Sequence, residues 1–218
     1  MARLAFGFSL AALLVAATAG AAAGPKPKPV PTIGNIYILV DCLVAAKDRD
    51  LEKVLSTVPG APESEMPWLR AAIGECLVDN RPILKGAVYA RGAVAERLLY
   101  RDFPAIGAAP RHRPAAVFLP VGKDFLATAT RPALAGLAML DAASCFVRSD
   151  PAAAYSFFRT ARESAEERSK ITELAPRLAS CLPKDEPLTI SPAILRAYLA
   201  EAAYRVAAGQ PQVFEGQS

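Results

Sequence analysis

The sequence predicts an all-α protein made of two tandem copies of a roughly four-helix unit, each with one disulfide, joined by a Pro-rich connector. Three observations predict it. A shift of 105 residues lays Cys76 on Cys181, Leu77 on Leu182, Pro82 on Pro187, Arg91 on Arg196, Ala95 on Ala200 and Glu96 on Glu201. A shift of 103 lays Cys42 on Cys145, Val44 on Val147 and Thr57 on Thr160, and keeps Leu43/Phe146, Val54/Phe157 and Leu55/Phe158 apolar. Finally, no alternation of apolar and polar residues runs longer than five residues in either copy, which disfavours strands. Self-similarity of this kind means one supersecondary unit used twice.

Residues 1–23 read as a secretory signal peptide. Arg3 makes a positive start, Leu4 to Ala16 an apolar run, and Ala17 to Ala23 a choice of small-residue cleavage sites. Residues 24–33 are a Pro-rich spacer, because proline lacks a donor and biases its predecessor to extended geometry. Unit 1 is expected over 34–101, with helices near Asn35–Ala46, Asp48–Thr57, Glu65–Leu77 and Ile83–Tyr100, and with Pro59-Gly60 turning the chain after the second.

A connector over 102–131, rich in Pro and Gly, leads to unit 2 over 132–209. The first helix of unit 2 covers Pro132–Val147, with Leu134, Leu137 and Leu140 on its apolar face. Asp150-Pro151 pairs an N-cap with a first-turn proline and starts a second helix that runs to about Arg162. Ser164-Ala165-Glu166-Glu167 is a capping box that opens the third, in which Pro176 is expected to make a kink. Ser191-Pro192 starts the fourth, which ends at Gly209 in a left-handed cap, and 210–218 form a tail.

A formal net charge of +4 is too slight to argue for nucleic acid or anionic lipid as a partner. No segment after the leader reaches the roughly 18 apolar residues of a spanning helix, so no membrane span is expected after leader cleavage. A periplasmic or secreted location follows. Four cysteines in an exported chain imply disulfides with three possible pairings. Only Cys42–Cys76 with Cys145–Cys181 makes each copy self-contained.

The chemistry-bearing residues are few. The sole histidine, His112, lies between Arg111 and Arg113 with no acid nearby, which argues against a triad. Four well-separated cysteines without histidines at helical spacing argue against zinc, and no phosphate loop or nucleophile motif occurs, so no catalytic residue, metal or cofactor is assigned. Glu63 with Glu65, and Glu163 with Glu166 and Glu167, sit at helix starts, where the helix dipole favours negative charge. Glu96 and Glu201 each follow a repeated arginine by five residues, a turn of about 500°. Arg and Glu therefore face different sides, and each is expected to meet an ion-pair partner on another helix of its own unit.

The closing run Arg91-Gly92-Ala93-Val94-Ala95-Glu96-Arg97-Leu98-Leu99-Tyr100, with Cys42-Leu43-Val44, Pro59-Gly60 and Cys76, resembles a group of uncharacterised exported bacterial proteins with a duplicated paired-Cys helical unit. The resemblance implies a fold and a compartment, and no activity. Unit 2 departs from the pattern in Ala197, which replaces the Gly after the arginine, and in the extra Pro176.

The expected function is that of a non-enzymatic interaction or structural module in the cell envelope, whose partner is another envelope or secreted protein. Features present once are freer to specialise than repeated ones, so the candidate binding residues are Arg111, His112 and Arg113 of the connector and Trp68. The alternative is a carboxylate-dependent cell-wall or small-molecule enzyme, which would need two acids converging in a deep cleft.

Overall fold

The computed structural model describes residues 33–46, 51–61, 67, 87–103, 121–182 and 190–210. Eight helices and no strand occur among the described residues. They are α1 (Ile33–Ala46), α2 (Glu52–Leu55), α3 (Ala87–Asp102), α4 (Lys123–Thr128), α5 (Arg131–Ser149), α6 (Pro151–Phe158), α7 (Ala165–Ala179) and α8 (Pro192–Ala207).

Local chemistry explains the helix starts in the second half. Thr130, Asp150, Ser164 and Ser191 each accept a hydrogen bond from the backbone N–H three residues on, and three of the helices they cap carry proline in the first turn. The Ser164 capping box is reciprocal. The Ser164 hydroxyl accepts from Glu167 N at 3.0 Å, while Glu167 Oε2 accepts from Glu163 N at 2.6 Å. α8 ends at the expected left-handed glycine, Gly209, with φ 72°. α7 continues past Pro176 to Ala179.

α3 and α8 lie side by side at the centre. α1 and α2 pack on α3, while α5, α6 and α7 pack on α8. α8 is buried on all sides from Leu195 to Arg205. Its Ala197, Ala200, Ala202 and Ala203 let neighbours approach from several directions, which a helix with one apolar stripe could not do. The main core gathers Leu39, Leu43, Leu55, Leu98, Phe146 and Phe157 with this central pair.

A second, smaller core joins Val58, Ala61, Ala133 and Leu137, with Phe125 and Leu126 of α4 packed against it. Here the 58–61 turn presses on α5 so closely that a Cβ on Gly136 would stand 2.3 Å from the Pro59 carbonyl oxygen. This contact turns the buried face of α5 toward Ala133 and Gly136, and it leaves Leu134, expected on the apolar face, exposed. α4 lies inside the expected connector and carries no sequence signal. It is six residues long and its N-cap, Gly122, has no side chain to offer.

Cys145 on α5 is bonded to Cys181 just beyond α7, with Cα atoms 5.8 Å apart. Cys42 on α1 is also disulfide-bonded, but its expected partner Cys76 lies outside the described residues. α7 buries only Glu167, Leu174 and Leu178, so the Cys145–Cys181 bond supplies much of its attachment. Cys145→Ala is expected to lower unfolding free energy by about 2–5 kcal/mol, measured by urea denaturation against the oxidised wild type. A loss below about 0.5 kcal/mol would show that the bond is dispensable.

Candidate functional site

The second helix of each half ends early. α2 stops at Leu55 and α6 at Phe158, and a threonine hydroxyl two residues later turns back on the chain. Thr57 Oγ1 donates to the Val54 carbonyl at 2.6 Å, and Thr160 Oγ1 to that of Phe157 at 2.7 Å. Such helix ends leave carbonyls without intrahelical donors, and inside a protein those carbonyls need partners.

Two buried arginines supply them. Arg91 on α3 donates from Nη1 to Val54 O at 2.6 Å and from Nη2 to Leu55 O at 3.1 Å and Thr57 O at 2.7 Å. Arg196 on α8 donates from Nη2 to Phe158 O at 3.0 Å and from Nη1 to Thr160 O at 3.4 Å. Each guanidinium caps the second helix of its own half and then reaches across to a glutamate of the other. Arg91 makes a two-pronged pair with Glu201, Nε to Oε2 at 2.5 Å and Nη2 to Oε1 at 2.8 Å. Arg196 makes the same pair with Glu96, Nε to Oε2 at 3.0 Å and Nη2 to Oε1 at 2.9 Å.

The repeated arginines and glutamates thus pair between the halves, whereas the sequence suggested partners within each unit. The reason lies at the closest approach of α3 and α8. A Cβ on Gly92 would stand 2.3 Å from both Cα and Cβ of Ala197, so the two backbones touch one residue beyond each arginine. Glycine on one side is what permits alanine on the other. At that separation each arginine, aimed away from its own Glu, faces the Glu on the opposite helix.

All four groups are at least 96% buried, with relative exposures of 1% for Arg91, Glu96 and Glu201 and 4% for Arg196. Burial alone would push the Glu201 carboxyl up, but the charges and hydrogen bonds of Arg91 and Arg205 overcome this and hold it below 4.5. Glu96 is likewise pushed up by burial and drawn below 4.5 by Arg196, Tyr37 and Arg162. The Tyr37 hydroxyl donates to Glu96 Oε2 at 2.6 Å, and burial together with that carboxylate raises its pKa above 10.

A folded carboxyl below its unfolded value adds stability that is complete above the unfolded pKa and is lost as pH falls through the folded one. The urea midpoint is therefore expected to be flat above about pH 5 and to fall steadily below about pH 4.5, where the unfolded chain takes up protons that the folded one refuses. Glu201→Gln should show a shallower acid limb over the same range.

The two pairs differ in what surrounds them. Around Glu201 the second cation is Arg205, whose Nε donates to Oε1 at 2.9 Å and whose Nη2 donates to Leu55 O. The position equivalent to Arg205 is Tyr100, whose hydroxyl donates to Phe158 O at 2.8 Å, so both halves send one more donor to the same helix end. Around Glu96 the second cation is Arg162, which donates to Oε1 at 3.0 Å and stacks 3.3 Å over the Tyr37 ring. Glu167 Oε1 accepts from Arg196 Nη1 at 2.8 Å.

Beside this second network lies a cavity of about 10 Å³, lined in part by Tyr37, Tyr89, Arg162, Glu163, Glu167 and Arg196. That is room for one water.

Of the residues singled out in the sequence, Arg91, Glu96, Arg196 and Glu201 come together as described. Arg111, His112, Arg113 and Trp68 lie outside the described residues. Sequence reasoning missed Tyr37, Tyr89 and Arg162, and it read Glu163 only as an acid at a helix start. The usable signal was where the two aligned stretches of sequence differ, since the same two shifts set these four against Leu140, Ile194, Pro59 and Gly60. No group of three or more His, Cys, Asp or Glu among the described residues has the arrangement of a metal site. No protein-family model, no curated protein and no solved structure matches the chain.

Proposed function

We propose that this chain is an exported, non-enzymatic module of the cell envelope, built as a tandem duplication of a four-helix unit and presenting its outer surfaces to a protein partner. The observation that supports this reading is what the buried acids do. Glu96, Glu167 and Glu201 are each committed to an arginine, and buried Asp102 accepts from Arg101 at 2.6 Å and from Tyr204 at 3.2 Å. A hydrolase working through two carboxylates needs one free to hold a proton and one free to attack or to activate water. Carboxyls held below 4.5 by paired arginines do neither, but they fix how two packed halves fit together.

The duplication accounts for features that a single ancestry would share. The threonine turns, the arginine caps and the reciprocal Arg–Glu pairs obey the same two shifts as the cysteines. So do the left-handed positions Gly60 (φ 77°) and Glu163 (φ 60°). Repeated positions hold the fold, and the partner-binding role falls to positions that occur once, among them Arg111, His112 and Arg113 of the connector and Trp68.

The test is retention of an envelope protein from periplasmic extract by the mature chain. Replacing Arg111 and Arg113 with Ala is expected to leave stability within about 0.5 kcal/mol of wild type and to weaken retention of an acidic partner. Hydrolysis of a glycan or small molecule by the wild type, lost in a Glu96→Gln or Glu201→Gln chain that remains folded, would overturn the reading in favour of an enzyme.

A further inference from the structure

α7 is held to the rest of the chain in two different ways along its length. Its first part is fixed by groups that reach the core. Glu167 is buried and accepts from Arg196 at 2.8 Å and from the Glu163 N–H at 2.6 Å, Leu174 is buried, and Ile171 packs against the same core. The end of the helix is fixed otherwise. The bonds that finish it are local, Ser180 Oγ to Arg177 O at 2.7 Å, Cys181 N to Leu178 O at 3.0 Å and Leu182 N to Ala179 O at 3.2 Å. Among the described residues its longer ties are the Leu178 side chain, an ion pair with Asp150 in which Arg177 is 57% exposed, and the Cys145–Cys181 bond. An ion pair so exposed holds little.

Pro176 separates the two parts. It has no N–H to give the Thr172 carbonyl, so the last turn is not carried along by the helix before it. The shift of 105 sets Ala71 against Pro176, so the first stretch of sequence has a strong helix former where the second has the break.

We infer that residues 176–182 form a thiol-operated latch, which a dithiol reductant opens by cleaving the Cys145–Cys181 bond while the α3–α8 centre stays folded. A thiolate of the reductant attacks one of the two sulfurs, and the other leaves as a thiolate that takes up a proton. The second thiol of the reductant then displaces the remaining cysteine. The reductant ends as a disulfide and Cys145 and Cys181 as thiols, two electrons and two protons having passed to the chain. Both cysteines are only partly buried, which gives the attack a route that needs no unfolding. Glu167 lies before the proline, so its bond to Arg196 survives the opening and the central network is kept. The inference goes beyond the scaffold reading, and neither the connector nor an envelope partner enters its test.

The experiment treats the mature full-length chain with dithiothreitol at about pH 8, with and without urea below the unfolding transition. Samples are quenched, alkylated and mapped by peptide mass, so that Cys145 and Cys181 are followed apart from Cys42. Their reduction is expected without urea and at a rate that changes by less than about twofold across this range, because opening one turn exposes little surface. A disulfide reached only through global unfolding would instead be reduced at a rate that climbs steeply with urea.

Hydrogen exchange of a Cys145→Ser/Cys181→Ser chain gives the second reading. Amides 177–182 are expected to exchange within about tenfold of an unfolded peptide, while amides 195–205 of α8 stay protected by about a thousandfold or more. Adding Pro176→Ala should slow exchange in the last turn by about tenfold or more, because the N–H that bonds to the Thr172 carbonyl is returned. The inference is overturned by reduction that tracks global unfolding, by a serine variant that does not fold or loses protection in α8, or by a last turn that stays protected without the bond.

Discussion

Glu201→Ala is expected to cost about 3–5 kcal/mol of unfolding free energy, because it strips the counter-charge from two buried arginines at once. Arg91 would keep its bonds to the Val54, Leu55 and Thr57 carbonyls, and Arg205 its bond to Leu55 O, but neither would face a carboxylate at that position. Burial already pulls the Arg205 pKa below its ordinary value, and the neighbouring Arg91 adds to this against the opposing pull of Glu201.

Glu96→Ala should be at least as damaging, since it removes the partner of Arg196, Arg162 and Tyr37 together. Replacing Arg91 and Glu201 together with leucine should cost less than the sum of the single changes, because Arg91 is then not left without its counter-charge, although Arg205 still loses Glu201. Urea denaturation of the two single variants and the double gives the coupling. Additivity within about 0.5 kcal/mol would mean that the pair does not act as a unit.

Gly92→Ala should destabilise by about 3 kcal/mol, the upper end for overpacking, although alanine is by propensity the better helix former by about 1 kcal/mol. The new Cβ meets backbone, Ala197 Cα at 2.3 Å, and no side-chain rotation relieves that. α3 and α8 must separate, which lengthens both Arg–Glu pairs flanking the contact. Ala197→Gly adds no atom at the crossing and should cost only about 1 kcal/mol of helix propensity. The same change in opposite directions at equivalent positions therefore has unequal effects, measurable as thermal or urea midpoints. Equal effects would show that the helices are not held at this distance.

What could be read from the sequence was local. The helix starts at Asp150, Ser164 and Ser191 were legible because an N-cap acts on an N–H three residues away. The absence of alternation disfavoured strands on the same local ground, and the Cys145–Cys181 bond was expected as part of the pairing that keeps each expected unit self-contained. The five-residue step from Arg91 to Glu96 excluded an ion pair within the helix, because its angle on the helix surface is set by helical geometry alone.

The partner of each arginine was not legible, since Glu96 and Glu201 stand in the same local pattern and either could serve either arginine. Only the packing of α3 on α8 decides, with Gly92 against Ala197 bringing the backbones close enough for each guanidinium to reach the opposite carboxylate. The early ends of α2 and α6 have the same origin. Residues 56–57 and 159–162 could have continued a helix, but the carbonyls released there are worth more to a buried guanidinium, and that guanidinium arrives from a helix distant in the chain. The cavity at Glu163 is likewise tertiary. Residues from three separate stretches, at Tyr37, Tyr89 and Arg162, meet there.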